Sequence, residues 1–186
     1  MTEKNIKILK SGGVGVIPTD TLYGLVACAQ NRKAVEKVYV LKKRDPKKPC
    51  IILINSIEDV GLFGVTLTRE LLKTLYKFWP GKVSIELLCS DDRFEYLHRG
   101  KKSLAFRLPN KKDLLDMLAK TGPLVAPSAN KEGEYPAQNI FQAKKYFGDN
   151  VDFYEDGGLL KSLPSTLIKI EKGKVKILHK GVVKVK

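Results

Sequence analysis

Residues 14–25 read Val-Gly-Val-Ile-Pro-Thr-Asp-Thr-Leu-Tyr-Gly-Leu. Val14–Ile17 is a short apolar run without polar alternation, which predicts a buried strand. Pro18 and the polar residues behind it end that strand, and two hydroxyls, a carboxylate and a phenol crowd into its exit. Strand exits of this kind are where open α/β sheets bind ligands. Thr and Asp also close turns on their own backbone, so the segment alone leaves both readings open.

Before this strand, Thr2–Lys10 predicts a short helix with Ile6 and Leu9 on one face, ended by Gly12-Gly13. Asn31–Lys43 predicts a second helix, with Ala34, Val35, Val38 and Leu41 at helical spacing and Asn31 as its cap. Cys50–Ile54 has the length of a strand. Leu71, Leu72, Leu75, Phe78 and Trp79 form one stripe across residues 68–79, which Pro80-Gly81 stops. Val83–Cys89 and Leu104–Leu108 read as strands, Lys111–Lys120 as a helix with Leu114, Leu115 and Leu118 inward, and Leu124–Ala126 as a short strand. Asn139–Phe147 predicts a helix in which Asn139 and Gln142 resemble a capping box. Thr166–Ile170 and Val175–Leu178 alternate by twos around Glu171-Lys-Gly-Lys174, the pattern of a hairpin. Strands and helices alternate without an internal repeat or linker, so residues 1–186 are expected to form one α/β domain with a mixed sheet flanked by helices.

Of 34 cationic residues six are Arg, and the net charge is +14. Such an excess draws polyanions such as nucleotides and RNA, although most of the lysines are expected to be solvated surface. Cys28, Cys50 and Cys89 form no Cys-x-x-Cys pair, which argues against a zinc site or a disulfide framework. No apolar run is long enough to span a bilayer, and Met1–Gly13 lacks the apolar core of a signal peptide. A cytoplasmic protein with reduced thiols is expected. No Gly-rich loop with Lys-Ser/Thr is present, Ser11–Gly15 precedes its strand instead of following it, and the histidines are two, His98 and His179. A P-loop, a dinucleotide fingerprint and a Ser-His-Asp triad are therefore poor readings. Chemistry here has to rest on positioning and charge.

Three further segments can carry such chemistry. Leu41-Lys-Lys-Arg-Asp-Pro-Lys-Lys-Pro49 places five cations on one connection stiffened by two prolines. Part of that charge caps a helix C-terminus, but Arg44 can grip phosphate oxygens as a fork while Lys42 and Lys48 act as point charges. In Ser103-Leu-Ala-Phe-Arg-Leu-Pro109, Arg107 interrupts an apolar strand, so it either faces solvent or is buried with a partner. Its fork suits an amino-acid carboxylate. Pro127-Ser-Ala-Asn130 ends a short strand with two hydrogen-bonding side chains among small residues.

Taken in order, these segments resemble the YrdC family of threonylcarbamoyl-AMP synthases from about Gly13 to Gly181. The match includes Thr19-Asp-Thr-x-Tyr-Gly-Leu25, Lys42-x-Arg44, Lys48-Pro49, Phe78-Trp-Pro-Gly81, Arg107 before Leu-Pro, Pro127-Ser-Ala-Asn130, Asp156-Gly-Gly158 and Ser165-Thr166. The resemblance implies a twisted mixed sheet with a concave basic face, and an enzyme that makes threonylcarbamoyl-adenylate and pyrophosphate from L-threonine, bicarbonate or CO2 and ATP. It implies Lys42 and Arg44 as the catalytic pair. Arg44, Lys48, Ser103, Asn130, Gln138 and His179 would contact ATP, and Thr21, Arg107, Ser128 and Ser165 the threonine. Mg2+ would accompany ATP, no protein metal site is implied, and a transferase complex would carry the product to tRNA. Lys42, Arg44, Ser128 and Asn130 would then share the walls of one cavity. Four positions depart from the family pattern: Lys43 and Asp45 flank Arg44 where Gly and Pro are usual, His179 stands for an arginine, and Leu53 for a His that commonly contacts threonine. Leu53 keeps open a paralogue with a different acyl or amino-acid substrate, and the charge keeps open a non-catalytic RNA-binding protein, alone or beside the enzyme.

Overall fold

Gly15–Pro18 (β1) does not lead into a helix. Thr19 N–H donates to Leu22 O at 3.1 Å, and the chain turns back as Tyr23–Cys28 (β2), antiparallel to β1 with Pro18 opposite Tyr23. β2 was not legible as a strand because its Tyr-Gly-Leu-Val-Ala-Cys residues are almost all buried and lack the alternation of a half-exposed strand. The computed structural model describes residues 2–171 and 174–185, so Lys172 and Gly173 of the expected hairpin turn lie outside the described residues.

The remaining strands are Ile51–Leu53 (β3), Val83–Leu88 (β4), Ser103–Arg107 (β5), Leu124–Val125 (β6), Phe153–Tyr154 (β7), Thr166–Glu171 (β8) and Lys174–His179 (β9). They form one mixed sheet in the order β7-β1-β2-β6-β3-β5-β4-β8-β9. β3 runs parallel to β5, β4 parallel to β8, and β8 and β9 make the terminal antiparallel pair. The helices are Glu3–Lys10 (α1), Arg32–Lys42 (α2), Arg69–Leu75 (α3), Glu95–His98 (α4), Lys112–Thr121 (α5) and Ile140–Phe147 (α6).

Period-2 alternation sorts the strand residues between two cores. Leu25 and Ala27 of β2 join the larger core with Val35 and Val38 of α2 and Ala143 and Phe147 of α6. Val26 turns the other way, to Leu9 of α1 and Leu114, Met117 and Leu118 of α5. Leu53 belongs to this second core and is fully buried. It lines neither of the cavities described below, so the residue expected to have lost a substrate contact is packing instead.

Local chemistry explains the boundaries. Asn31 Oδ1 accepts from Ala34 N–H at 3.1 Å and starts α2 as expected. α3 is shorter than its apolar stripe, ending at Leu75, with Trp79 buried beyond it and its indole donating to Val83 O. The capping box on α6 is only half formed. Asn139 Oδ1 accepts from Gln142 N–H at 3.0 Å, but Gln142 Oε1 accepts from Gln138 N–H instead of returning to Asn139. Cys50 and Cys89 are buried and Cys28 half-buried, all three as free thiols.

Candidate active site

The helix end of α2 fixes the cationic connection. Lys43 caps the helix in the left-handed conformation at φ 51°, the geometry glycine adopts without strain. Arg44 N–H then donates to Tyr39 O, and the Arg44 guanidinium folds over the loop, Nε to Lys48 O at 3.0 Å and Nη2 to Pro49 O at 2.9 Å. Tyr39 Oη donates to the same Lys48 carbonyl.

Lys42, one residue earlier, is buried. Its ammonium donates to Ser128 O at 2.8 Å, Asn130 Oδ1 at 2.9 Å and Asn130 O at 3.0 Å. Ser128 Oγ lies farther off at 3.4 Å, so the three shortest contacts use all three donors and the Ser128–Asn130 segment saturates the side chain. Burial pulls its pKa down from 10.5 to about 8, with the neighbouring Arg44 charge acting the same way. Asn130 is itself fully engaged: Oδ1 also accepts from Ser128 Oγ at 2.6 Å, and Nδ2 donates to Lys131 O and Glu134 O. Lys48 pairs with Glu132 at 2.6 Å, and the same carboxylate accepts from Asp45 N–H. Glu132 thus ties the two loops together. No sequence motif marks it, because the tie forms only when the chain folds.

Two adjoining cavities open beside these loops. The larger, about 970 Å³, lies on the sheet face turned away from the main core, where Glu86, Ser103, Ala105, Leu167 and Lys169 alternate outward. Arg44, Ser165 and His179 stand on its walls with Lys101 and Lys102, neither of which belonged to an expected site. The smaller, about 170 Å³, is lined by Thr19, Thr21, Arg107 and Ser128 among others. Arg44, Ile51, Pro164 and Ser165 border both. Ser165 is held by a 2.9 Å hydrogen bond with Ser84.

Most of the expected site residues therefore converge here, in two tiers. Arg44, Ser103, His179, Thr21, Arg107, Ser128 and Ser165 reach the cavity walls. Lys42 and Asn130 sit directly behind Ser128. Lys48 faces Glu132 and is largely exposed, and Gln138 is exposed with its backbone bonded to Gln142 and Leu160; neither lines a cavity.

Arg107 is buried at the edge of the smaller cavity, with Nη2 3.0 Å from Asp20 Oδ1 and 3.4 Å from Thr19 Oγ1. Burial lowers its pKa while the Asp20 charge opposes that. The Thr19 hydroxyl donates to Leu22 O and accepts from the N–H groups of Thr21 and Leu22, which sets the turn that presents both Asp20 and Thr21. Two glycines make the enclosing segments fit. A Cβ on Gly157 would fall 2.4 Å from Pro18 Cβ, while Gly157 N–H donates to Tyr23 Oη. A Cβ on Gly181 would fall 2.3 Å from Pro164 O, where the segment after β9 crosses the backbone at Ser165.

A family model described as "Telomere recombination", the Sua5/YciO/YrdC domain, matches residues 7–181. This chain belongs to the Sua5/YciO/YrdC family. A relative from Marinobacter nauticus named threonylcarbamoyl-AMP synthase is 34% identical, over 88% of this chain and 87% of its own. The structure of P. abyssi Sua5 in complex with L-threonine superposes with a TM-score of 0.88 at 26% identity, over 96% of this chain and 53% of that one. This chain thus spans about half the length of that Sua5. E. coli YciO, at 20% identity and a TM-score of 0.87 over 98% of this chain and 90% of its own, shares the fold.

Proposed function

We propose that this Sua5/YciO/YrdC protein is a threonylcarbamoyl-AMP synthase, with L-threonine in the smaller cavity and ATP in the larger. The observation that carries the reading is the shared border of the two cavities at Arg44 and Ser165. A reaction that joins an amino acid to a nucleotide needs two adjacent compartments and a cation at their junction. The names of the family relatives and the threonine complex of Sua5 support the same substrates.

In this reading Arg107 holds the threonine carboxylate, with Thr21, Ser128 and Ser165 around the rest of the molecule. Threonine enters as the zwitterion and gives one ammonium proton to solvent. The amine then bonds to the carbon of CO2 and releases a second proton, or to the carbon of bicarbonate and releases water, and either route leaves a carbamate. A carbamate oxygen then attacks the α-phosphorus of ATP, and the bond to pyrophosphate breaks. Arg44 faces the negative charge that grows on the leaving group, and Lys42 acts one layer back by fixing the Ser128–Asn130 wall. Ser103 and His179 contact the nucleotide across the larger cleft. Lys48, Asn130 and Gln138 lack a direct path to either cavity in this arrangement, so ATP contacts by Lys48 require it to leave Glu132.

Among the described residues no group of three or more His, Cys, Asp or Glu side chains is placed to hold a metal ion. Mg2+ fits this reading as a companion of the ATP phosphates, which is its usual mode, and no step above is routed through it. No helix among the described residues is long and apolar enough to cross a membrane. The cytoplasm, direct contact with tRNA and hand-over to a transferase complex belong to the same proposal, with the net charge of +14 favouring encounter with RNA. The experiment that tests the reading is detection by mass spectrometry of threonylcarbamoyl-adenylate formed from threonine, bicarbonate and ATP. Tight, salt-sensitive RNA binding without that product would favour an RNA-binding protein instead.

A further inference from the structure

The Asp20–Arg107 pair is poorly satisfied for its depth. Both side chains are at least 95% buried, at 4% and 5% exposure. They approach to 3.0 Å, yet among the described residues neither carboxylate oxygen of Asp20 and not the Arg107 Nε has a hydrogen bond. A carboxylate can accept about four hydrogen bonds and a guanidinium donates five. A buried pair that leaves so much unused is expensive to maintain for stability alone.

We propose that Asp20 makes the smaller cavity selective for a zwitterion. It orients the Arg107 fork and cancels its charge, so a carboxylate is accepted only when the same molecule brings an ammonium group. The inference rests on the reading of this cavity as the threonine site. Without Asp20, Arg107 would be an uncompensated buried cation that welcomes any small carboxylate. With Asp20, a simple carboxylate adds a net negative charge to a site with little water, which is heavily penalised. A zwitterion adds none. Asp20 acts through Arg107 and is a positioning residue; the turn built on Thr19 fixes where it stands.

The probes are L-threonine and 3-hydroxybutyrate, which is threonine without its amino group. Affinities are measured by calorimetry on the wild-type chain, Asp20→Asn and Asp20→Glu. Wild type is expected to prefer threonine by about 100-fold or more, the scale on which a site with unpaired polar groups rejects an analogue lacking their partner. Asp20→Asn is expected to lose at least about tenfold of that preference, mainly by binding 3-hydroxybutyrate more tightly, and Asp20→Glu to keep it. A loss of fold alone would weaken both ligands together and leave their ratio unchanged. Equal affinities for the two ligands in wild type overturn the inference without any variant. An unchanged ratio in folded Asp20→Asn also overturns it, while leaving the threonine site in place. Failure of wild type to bind threonine at all overturns the site assignment and this inference with it.

Discussion

Lys42 Nζ lies 2.9 Å from Asn130 Oδ1, a contact that spans 88 residues and joins the last turn of α2 to the loop after β6. With its two companion bonds to Ser128 O and Asn130 O, it makes the cationic motif and the Ser-x-Asn motif one mechanical unit. Lys42→Met keeps the apolar stem but leaves those oxygens without their donor. A buried acceptor that loses its partner costs roughly 1–3 kcal/mol. The variant should lose about 2–4 kcal/mol in urea unfolding and nearly all pyrophosphate release. An unchanged unfolding midpoint would show that the ammonium is not holding the loop.

The same lysine gives a pH dependence with a definite sign. Burial, then the Arg44 charge, bring its pKa to about 8 from 10.5. The unfolded chain therefore keeps the proton to higher pH than the folded chain. Below pH 8 the charged form carries its full burial cost, set against the hydrogen bonds it makes, and that cost fades between pH 8 and 10.5. Wild type should gain stability relative to Lys42→Met across that window, by on the order of 2–3 kcal/mol. Turnover should move the other way and fall above pH 8, because a neutral amine has two protons for three oxygens. Parallel unfolding curves at pH 7 and 10 for both proteins check the first point; a constant difference between them would refute it.

Arg44 stands at the junction of the two cavities. Arg44→Ala should cut pyrophosphate formation by about a hundredfold or more, as the loss of a transition-state donor does. Steady-state kinetics would show this in kcat, and near wild-type turnover would remove Arg44 from the reaction.

Lys43 occupies a left-handed cap at φ 51°, which costs a side-chain-bearing residue about 1–2 kcal/mol. Lys43→Gly should therefore stabilise the fold by up to about 1 kcal/mol, after the entropy that glycine gives back. Thermal melting reads this directly, and a lower melting temperature would mean that the Lys43 side chain contributes more than its backbone costs.

What was legible in the sequence was local. Asn31 and the 3.6-residue spacing of Val35 and Val38 announced α2, and the alternation of residues 166–170 and 175–178 announced the β8–β9 pair. β2 was hidden because burial on both faces erases alternation. Arg107 and Arg44 stand out in the sequence because Arg is scarce in this chain. The motif order suggested that the segments belong together, but not that Lys42 and Asn130 would stand behind the wall while Arg44 and Ser128 form it. Glu132 and the Asp20–Arg107 pair could not be read at all, since each is defined by a partner more than 80 residues away.

Pyrophosphate release, measured with one substrate withheld at a time, probes the joined cavities themselves. Joined cavities for threonine and ATP predict release that needs L-threonine, bicarbonate and ATP together, and that stops when any one is omitted. Release from ATP alone, or none with all three present, would contradict that account.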